Sequence, residues 1–135
     1  MGTDTQRVRQ LRLVVEATDF EAAVNFYRDV LGLEEELAVA GPDGARVVIL
    51  DAGRATLELA NSAQKRFIDE VEVGRQVAPR LRVAFEVDDA WGVSQRLVAA
   101  GAELIAQPIE TPWKSLNARL SAPADLQITL FQELD

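Results

Sequence analysis

Residues 81–90 read "LRVAFEVDDA", and residues 11–20 read "LRLVVEATDF". Both begin Leu-Arg, pass through apolar residues to a Glu, and reach an Asp seven residues after the Arg. The apolar stretch reads as a strand, and the Asp is the residue type that opens a helix by accepting the orphaned first-turn amides. Working outward, the first copy begins with the strand "VRQLRLVVE" and continues into "TDFEAAVNFYRDVLGL". That segment reads as a helix capped by Thr18 or Asp19, with Phe20, Ala23, Tyr27 and Val30 on one face and Gly32 as the left-handed exit. Phe26 and Tyr27 are both assigned to the core. "EEELAVA", the turn "GPDG" at Gly41–Gly44, "ARVVILD" and "ATLELAN" supply three further strands.

The second copy follows the same plan. "RLRVAFEV" is a strand and "DDAWGVSQRLVAAG" a helix, capped by Asp88 or Asp89 and ended by Gly101. "AELIAQ" is a strand expected to stop at Pro108, and "SLNARLSA" and "LQITLFQ" are strands separated by a turn at Pro123. The order βαβββ therefore occurs twice. The expected fold is α+β: two tandem βαβββ modules forming a curved, mixed sheet trough with helices on its outer side. The chain is a single domain, 1–135, with module one at about 8–60, a connector at about 61–79 and module two at about 80–133. The connector, "SAQKRFIDEVEVGRQVAP", is polar and charged, and reads as a link carrying a short ordered segment.

Side chains alternate across a strand, so the two faces of the sheet can be separated by parity. Leu11, Leu13 and Val15 oppose Arg12, Val14 and Glu16; Leu57 and Leu59 oppose Thr56 and Glu58. Leu81, Val83, Phe85 and Val87 oppose Arg82, Ala84 and Glu86; Leu126, Ile128 and Leu130 oppose Gln127, Thr129 and Phe131. The apolar face is expected beneath the module's own helix. The mixed face either meets solvent or, if two twisted modules curl together, lines a trough suited to a small molecule.

Composition narrows the chemistry. With 48% hydrophobic and 27% charged residues, the chain has the profile of a soluble globular protein. The absence of cysteine excludes disulfides and thiolate metal sites, and the absence of histidine removes the commonest metal ligand and neutral-pH base. A net charge of −8 argues against a nucleic-acid partner. No run is long enough to span a membrane, and "MGTDTQRVRQ" has no signal-peptide core, so a cytoplasmic location is expected.

"VVEATDFEAAVNFYRDVLGL", with its Phe-Tyr-x-x-x-Leu-Gly-Leu ending, resembles the vicinal oxygen chelate superfamily, which includes glyoxalase I, extradiol dioxygenases, fosfomycin resistance enzymes and bleomycin resistance proteins. "VAFEVDDAWGVSQRLVAAGAEL" and "PWKSLNARLSAPADLQITLF" are similar to its second module, so the resemblance runs from about Val8 to Phe131. It implies the paired-module fold but no particular activity. Metal-dependent members carry four ligands on the trough floor, on the first and fourth strand of each module. Carried over residue by residue, those positions fall on Arg12, Glu58, Arg82 and Thr129, of which Glu58 alone keeps a ligand type. Where the family usually has "DPDGNLIEL", this chain has "APADLQITL". A guanidinium cannot coordinate a divalent cation, so no metal or other cofactor is expected. The resemblance also implies a homodimer that covers exposed edges and rims.

Two functions follow. One is a metal-free protein that binds a small molecule, a drug or metabolite, in the trough. There Arg12 and Arg82 flank Glu58, and whichever arginine is not committed to it takes a carboxylate, phosphate or enolate. Thr129, Glu16 and Glu86 share the trough-facing parity, Arg119 and Asn117 are weaker candidates, and Trp113 either closes one end by stacking or packs as an ordinary loop residue. The three-residue cluster also has a purely structural reading, as an ion-pair network filling a disused trough. The alternative function is a lyase-, isomerase- or dioxygenase-type enzyme with a non-standard site, in which Glu58, Glu16 or Glu86 acts as base and an arginine stabilises an oxyanion. An adjacent arginine is expected to depress the carboxylate's pKa and so disfavour this second function.

Overall fold

In the computed structural model the first Leu-Arg stretch forms β1 (Val8–Glu16), which leads into helix α1 (Phe20–Val24) and its π-helical continuation, Asn25–Val30. Strands β2 (Glu35–Ala40), β3 (Arg46–Ala52) and β4 (Ala55–Ala60) complete module one, and helix α2 (Ser62–Glu72) occupies the connector. Module two comprises β5 (Leu81–Val87), α3 (Ala90–Ala99), β6 (Glu103–Glu110), β7 (Ser115–Ala122) and β8 (Leu126–Glu133). The structure describes residues 8–123 and 125–135. Residues 1–7 of the stretch searched for a signal-peptide core, and Ala124 beside the Pro123 turn, lie outside the described residues.

All eight strands join one mixed sheet in the order β2-β3-β4-β1-β5-β8-β7-β6. The two Leu-Arg strands pair antiparallel at its centre, and each pairs in parallel with the fourth strand of its own module, β1 with β4 and β5 with β8. The expected α+β fold of two βαβββ modules is therefore observed. Asp19 and Asp89 cap the two module helices, accepting from the amides of Ala22 at 3.1 Å and Gly92 at 3.0 Å. Gly32 and Gly101 leave these helices at φ of 93° and 114°, where a Cβ would be strained. Each helix roofs one apolar core: Phe20 and Val24 over Val48, Leu50 and Leu59, and Ala90 over Ala118, Leu120, Ile128 and Leu130.

Four expectations need correction. Val30 and Phe26 are exposed, at 70% and 56%, although Tyr27 packs against the core. For Val30 the cause is the switch to π-helical bonding, in which the Leu31 amide donates to the Phe26 carbonyl five residues back, so the helical face rotates away from the 3.6-residue period; Phe26 lies off that face even at the regular period. Secondly, Leu11, Leu13 and Leu81 are 39%, 38% and 54% exposed rather than roofed. The helices sit over the outer strands of each module and leave the outer face of the central β1–β5 pair open. Thirdly, β6 does not stop at Pro108. Its pairing shifts between Ala106↔Arg119 and Ile109↔Asn117, an irregularity at the sheet edge where a residue without an amide donor is tolerated.

The fourth correction places the site. The ordered segment of the connector is longer than expected, an 11-residue helix, and unlike the two module helices it lies on the concave face of the sheet. Asn61 caps α2 by accepting from Gln64 N at 2.9 Å, and also accepts from the Arg46 amide at 3.0 Å while donating to the Gly44 carbonyl. One helix start is thereby pinned to the β2–β3 turn. Gln64, Ile68 and Glu72, at i, i+4 and i+8, point from α2 toward the sheet and are buried.

Candidate functional site

The trough floor follows from strand register. Glu58 stands opposite Val14 across the β1–β4 pair, and Arg82 stands opposite the same Val14 across the β1–β5 pair. Glu58 and Arg82 are thus two strand spacings apart, about 9.5 Å at Cα, and both reach over one small valine. In the next row Thr56, Arg12, Ala84 and Thr129 lie side by side. Val14, Ala84 and Phe131 form a small apolar cluster between these polar groups.

Above this floor and beside α2 lies a cavity of about 350 Å³. Arg12, Glu58, Arg82 and Thr129 all line it, together with apolar walls that include Leu37, Val39, Ile49 and Phe67. Trp113 forms part of the rim, its ring 6.2 Å from that of Phe67 and tilted by 52°. This is the size and mixture of a small-molecule site.

The three arginines of the trough differ in how they are satisfied. Arg119 is completely buried and donates to Asp69 Oδ1 at 2.8 Å, Glu72 Oε1 at 2.7 and 3.2 Å, and Gln127 Oε1 at 2.9 Å. Asp69 is also held by the amides of Val77 and Ala78, both at 2.9 Å, and Glu72 by Asn117 Nδ2 at 2.7 Å. Burial pushes the Asp69 carboxyl up, but the Ala78 amide, Arg119 and the Val77 amide together outweigh it and hold the group below its usual value. Arg12 is partly open; its guanidinium lies 5.1 Å over the Phe131 ring, donates to Gln10 Oε1 and approaches Glu58 Oε1 at 3.8 Å.

Arg82 is different. It is only 8% exposed, yet among the described residues it makes one hydrogen bond, from Nη1 to Thr129 Oγ1 at 2.7 Å, and no ion pair within 4.0 Å. Burial lowers its pKa, opposed by the carboxylates of Glu72, Glu58 and Asp69, and the guanidinium stays charged. Glu58 mirrors it. Among the described residues it accepts no hydrogen bond, and burial raises its pKa further than Arg82 and Arg12 lower it. The neighbouring arginines do depress this carboxyl, as expected, but without a hydrogen bond to it they do not offset the larger effect of burial, so the net shift is upward.

A family model described as a glyoxalase-like domain matches residues 12–131. The chain belongs to that family. No curated protein matches the sequence. Among solved structures, the fold is similar to that of a hypothetical protein from Bacillus halodurans C-125, with a TM-score of 0.69 at 15% identity, covering 98% of this chain and 97% of that one. Methylmalonyl-CoA epimerase from Mycobacterium tuberculosis gives a TM-score of 0.62 at 21% identity, covering 96% and 89%. A glyoxalase/bleomycin resistance protein/dioxygenase superfamily member from Vibrio splendidus 12B01 gives 0.60 at 16%, covering 91% and 97%. At these identities the likeness concerns the fold.

The metal found in catalytic members of the superfamily does not fit this glyoxalase-like trough. Two of the four inherited positions carry guanidinium groups and a third carries a hydroxyl already engaged by one of them. Among the described residues no group of three or more Asp or Glu side chains is placed to hold an ion.

The remaining sequence candidates divide clearly. Glu16 accepts from Ser62 Oγ at 2.6 Å and lines a separate small chamber behind Glu58, while Glu86 accepts from Gln10 Nε2 at 3.2 Å and does not line the cavity. Arg119 shares the trough-facing parity but is sealed beneath α2, whereas Asn117 lines the cavity. Sequence reasoning missed Gln64, Phe67, Asp69 and Glu72, all on α2. Their signal was an Asn followed by a run without a helix breaker up to Gly74, with Asp69 and Glu72 three residues apart.

Proposed function

We propose that this glyoxalase-like protein binds a small anionic molecule in the trough without a metal, its negative group meeting Arg82 and its apolar body lying between Phe67, Trp113 and the β2–β3 wall. One observation carries the reading: a nearly buried guanidinium with one hydroxyl partner, while the neighbouring Arg119 is fully satisfied. A buried cation left so far from saturation, on a cavity wall, is arranged for an anion that supplies the missing acceptors. The test is a pair of fluorescent probes of one shape. 8-Anilinonaphthalene-1-sulfonate carries the anion, and N-phenyl-1-naphthylamine lacks it. The sulfonate should bind more tightly than the neutral amine, and Arg82→Met should remove that preference while leaving the circular dichroism spectrum unchanged. Equal binding of both probes, or an Arg82→Met protein that keeps the preference, would refute the reading.

A second reading, catalysis, is favoured by Glu58. A carboxyl that accepts no hydrogen bond among the described residues and has a raised pKa is suited to moving a proton, and Arg12 and Arg82 flank the space where negative charge would develop. Deuterium incorporation from heavy water into a bound carbonyl compound, lost in Glu58→Gln, would select this reading over plain binding.

The protein is further proposed to work as a cytoplasmic homodimer. The exposed apolar strip of Leu11, Leu13 and Leu81 on the outer face, and the solvent-facing edge strands β2 and β6, support pairing of two copies.

A further inference from the structure

Glu58 faces two spaces. In front is the ligand cavity; behind is a chamber of about 20 Å³, bordered by Glu16, Lys65, Pro79, Arg80 and Arg82. That volume is enough for one water molecule with polar partners. The exposed Arg80 at its wall places the chamber close to bulk solvent. Filling the front cavity with a ligand therefore leaves Glu58 a route to water from behind.

The charges around Glu58 decide what that route is for. From β1 it faces Arg12, at 3.8 Å, and, toward the chamber, Glu16; from β5 it faces Arg82. From α2 come Lys65 on the chamber side and Glu72 on the cavity side, the latter already committed to Arg119 and Asn117. Glu133 of β8 also borders the cavity. An anion seated on the free donors of Arg82 occupies the gap over Val14, between Arg82 and Glu58. An ionised Glu58 would then face a second negative charge across a space largely closed to water, with no hydrogen-bond donor among the described residues to hold the charge. Protonation removes the repulsion and turns Glu58 into a donor aimed at the incoming group.

We infer that an anion enters this site together with one proton, which Glu58 takes up. The inference rests on the anion-binding reading. Burial already raises the free-state pKa of Glu58, and a bound anion raises it further, so the two values bracket a coupling window. Below the free-state pKa the carboxyl is already protonated and affinity is flat. Between the two values affinity falls up to tenfold per pH unit as pH rises, because each binding event must capture a proton. Above the bound-state value it is flat again.

8-Anilinonaphthalene-1-sulfonate is the probe, since its sulfonate stays ionised across the range and any proton uptake is the protein's. Its dissociation constant is measured from pH 5 to 9 for wild type and Glu58→Gln. Proton uptake is measured by titration calorimetry of the wild type in bis-Tris and in Tris, cationic buffers with different ionisation heats that do not compete for an anion site. The expected result is weakening with rising pH in wild type, a near-constant affinity in Glu58→Gln, and close to one proton taken up within the window. A flat wild-type profile with no proton uptake overturns the coupling, as does a pH dependence that survives in Glu58→Gln. If the probe binds through Arg82 but without a proton, only this inference falls. If binding is absent or indifferent to Arg82→Met, the anion-binding reading falls and takes the coupling with it. The calorimetric arm needs no variant, so the outcome does not depend on Glu58→Gln folding well.

Discussion

Replacing Arg119 with methionine removes the cation on which α2 is moored. Arg119, Asp69 and Glu72 are 0%, 1% and 4% exposed, so the two carboxylates left behind cannot be rescued by water without opening the trough. Breaking one partner of a buried pair typically costs about 3–5 kcal/mol. Here Asp69 keeps the amides of Val77 and Ala78, and Glu72 keeps Asn117, which places the cost at the lower end, about 3 kcal/mol. For a domain of this size that is a loss in melting temperature of about 12 °C, taking about 4 °C per kcal/mol. The companion variant, Arg119→Met with Asp69→Asn and Glu72→Gln, removes all three charges while keeping most hydrogen-bonding atoms. It should lose only about 1 kcal/mol, since an uncharged replacement of a buried ion cluster can be near neutral. Urea unfolding followed by circular dichroism at pH 7 measures both. If the triple variant is as unstable as the single one, or the single loses less than about 1 kcal/mol, the ion cluster is not what holds α2 down.

Glu58→Gln should be more stable than wild type at neutral and alkaline pH. The folded pKa of Glu58 lies above its ordinary value of 4.5, so its contribution favours folding below that value and is lost as pH rises through the raised one; urea midpoints at pH 5 and pH 8 should diverge accordingly. Elemental analysis should find no stoichiometric transition metal, and added divalent metal should leave the melting temperature unchanged, because three of the four inherited ligand positions lack a ligand. Light scattering should give the mass of a dimer at micromolar concentration, and Leu13→Lys, placed in the exposed strip between α1 and α3, should shift it toward the monomer; a wild type that is already a monomer sinks the pairing.

The repeat made most of the architecture legible. Strand parity and two Asp caps are local signals, and parity puts Arg12, Glu58, Arg82 and Thr129 on one face of the sheet. What local signals could not carry was distance. Parity put Arg82 and Glu58 on the same face but not at two strand spacings, and that separation is what leaves one unsaturated and the other desolvated. The identity of Arg119 was equally visible, yet its burial depends on α2, whose trough-facing positions Gln64, Ile68 and Glu72 alternate polar and apolar types. A helix that buries carboxylates beside Ile68 has a polar composition overall, so its sequence reads as a solvated link. Likewise the π-helical turn after Asn25 defeated a 3.6-residue reading of Val30.

The helix lying in the trough belongs to neither copy of the repeat, and both carboxylates that tether it are bound by a strand of the second copy. The stretch that repeats and the stretch that ties the trough together are therefore different pieces of chain. Severed after Gly74, one fragment would carry Asp69 and Glu72 and the other Arg119, each without its counter-ions. Severed after Asn61, the second fragment would keep all three, and the two pieces should reassociate when co-expressed where the later cut yields aggregates. Lying between the two repeats, α2 makes the second one dependent on a segment that precedes it in the chain, and so fixes the order in which the halves can be joined.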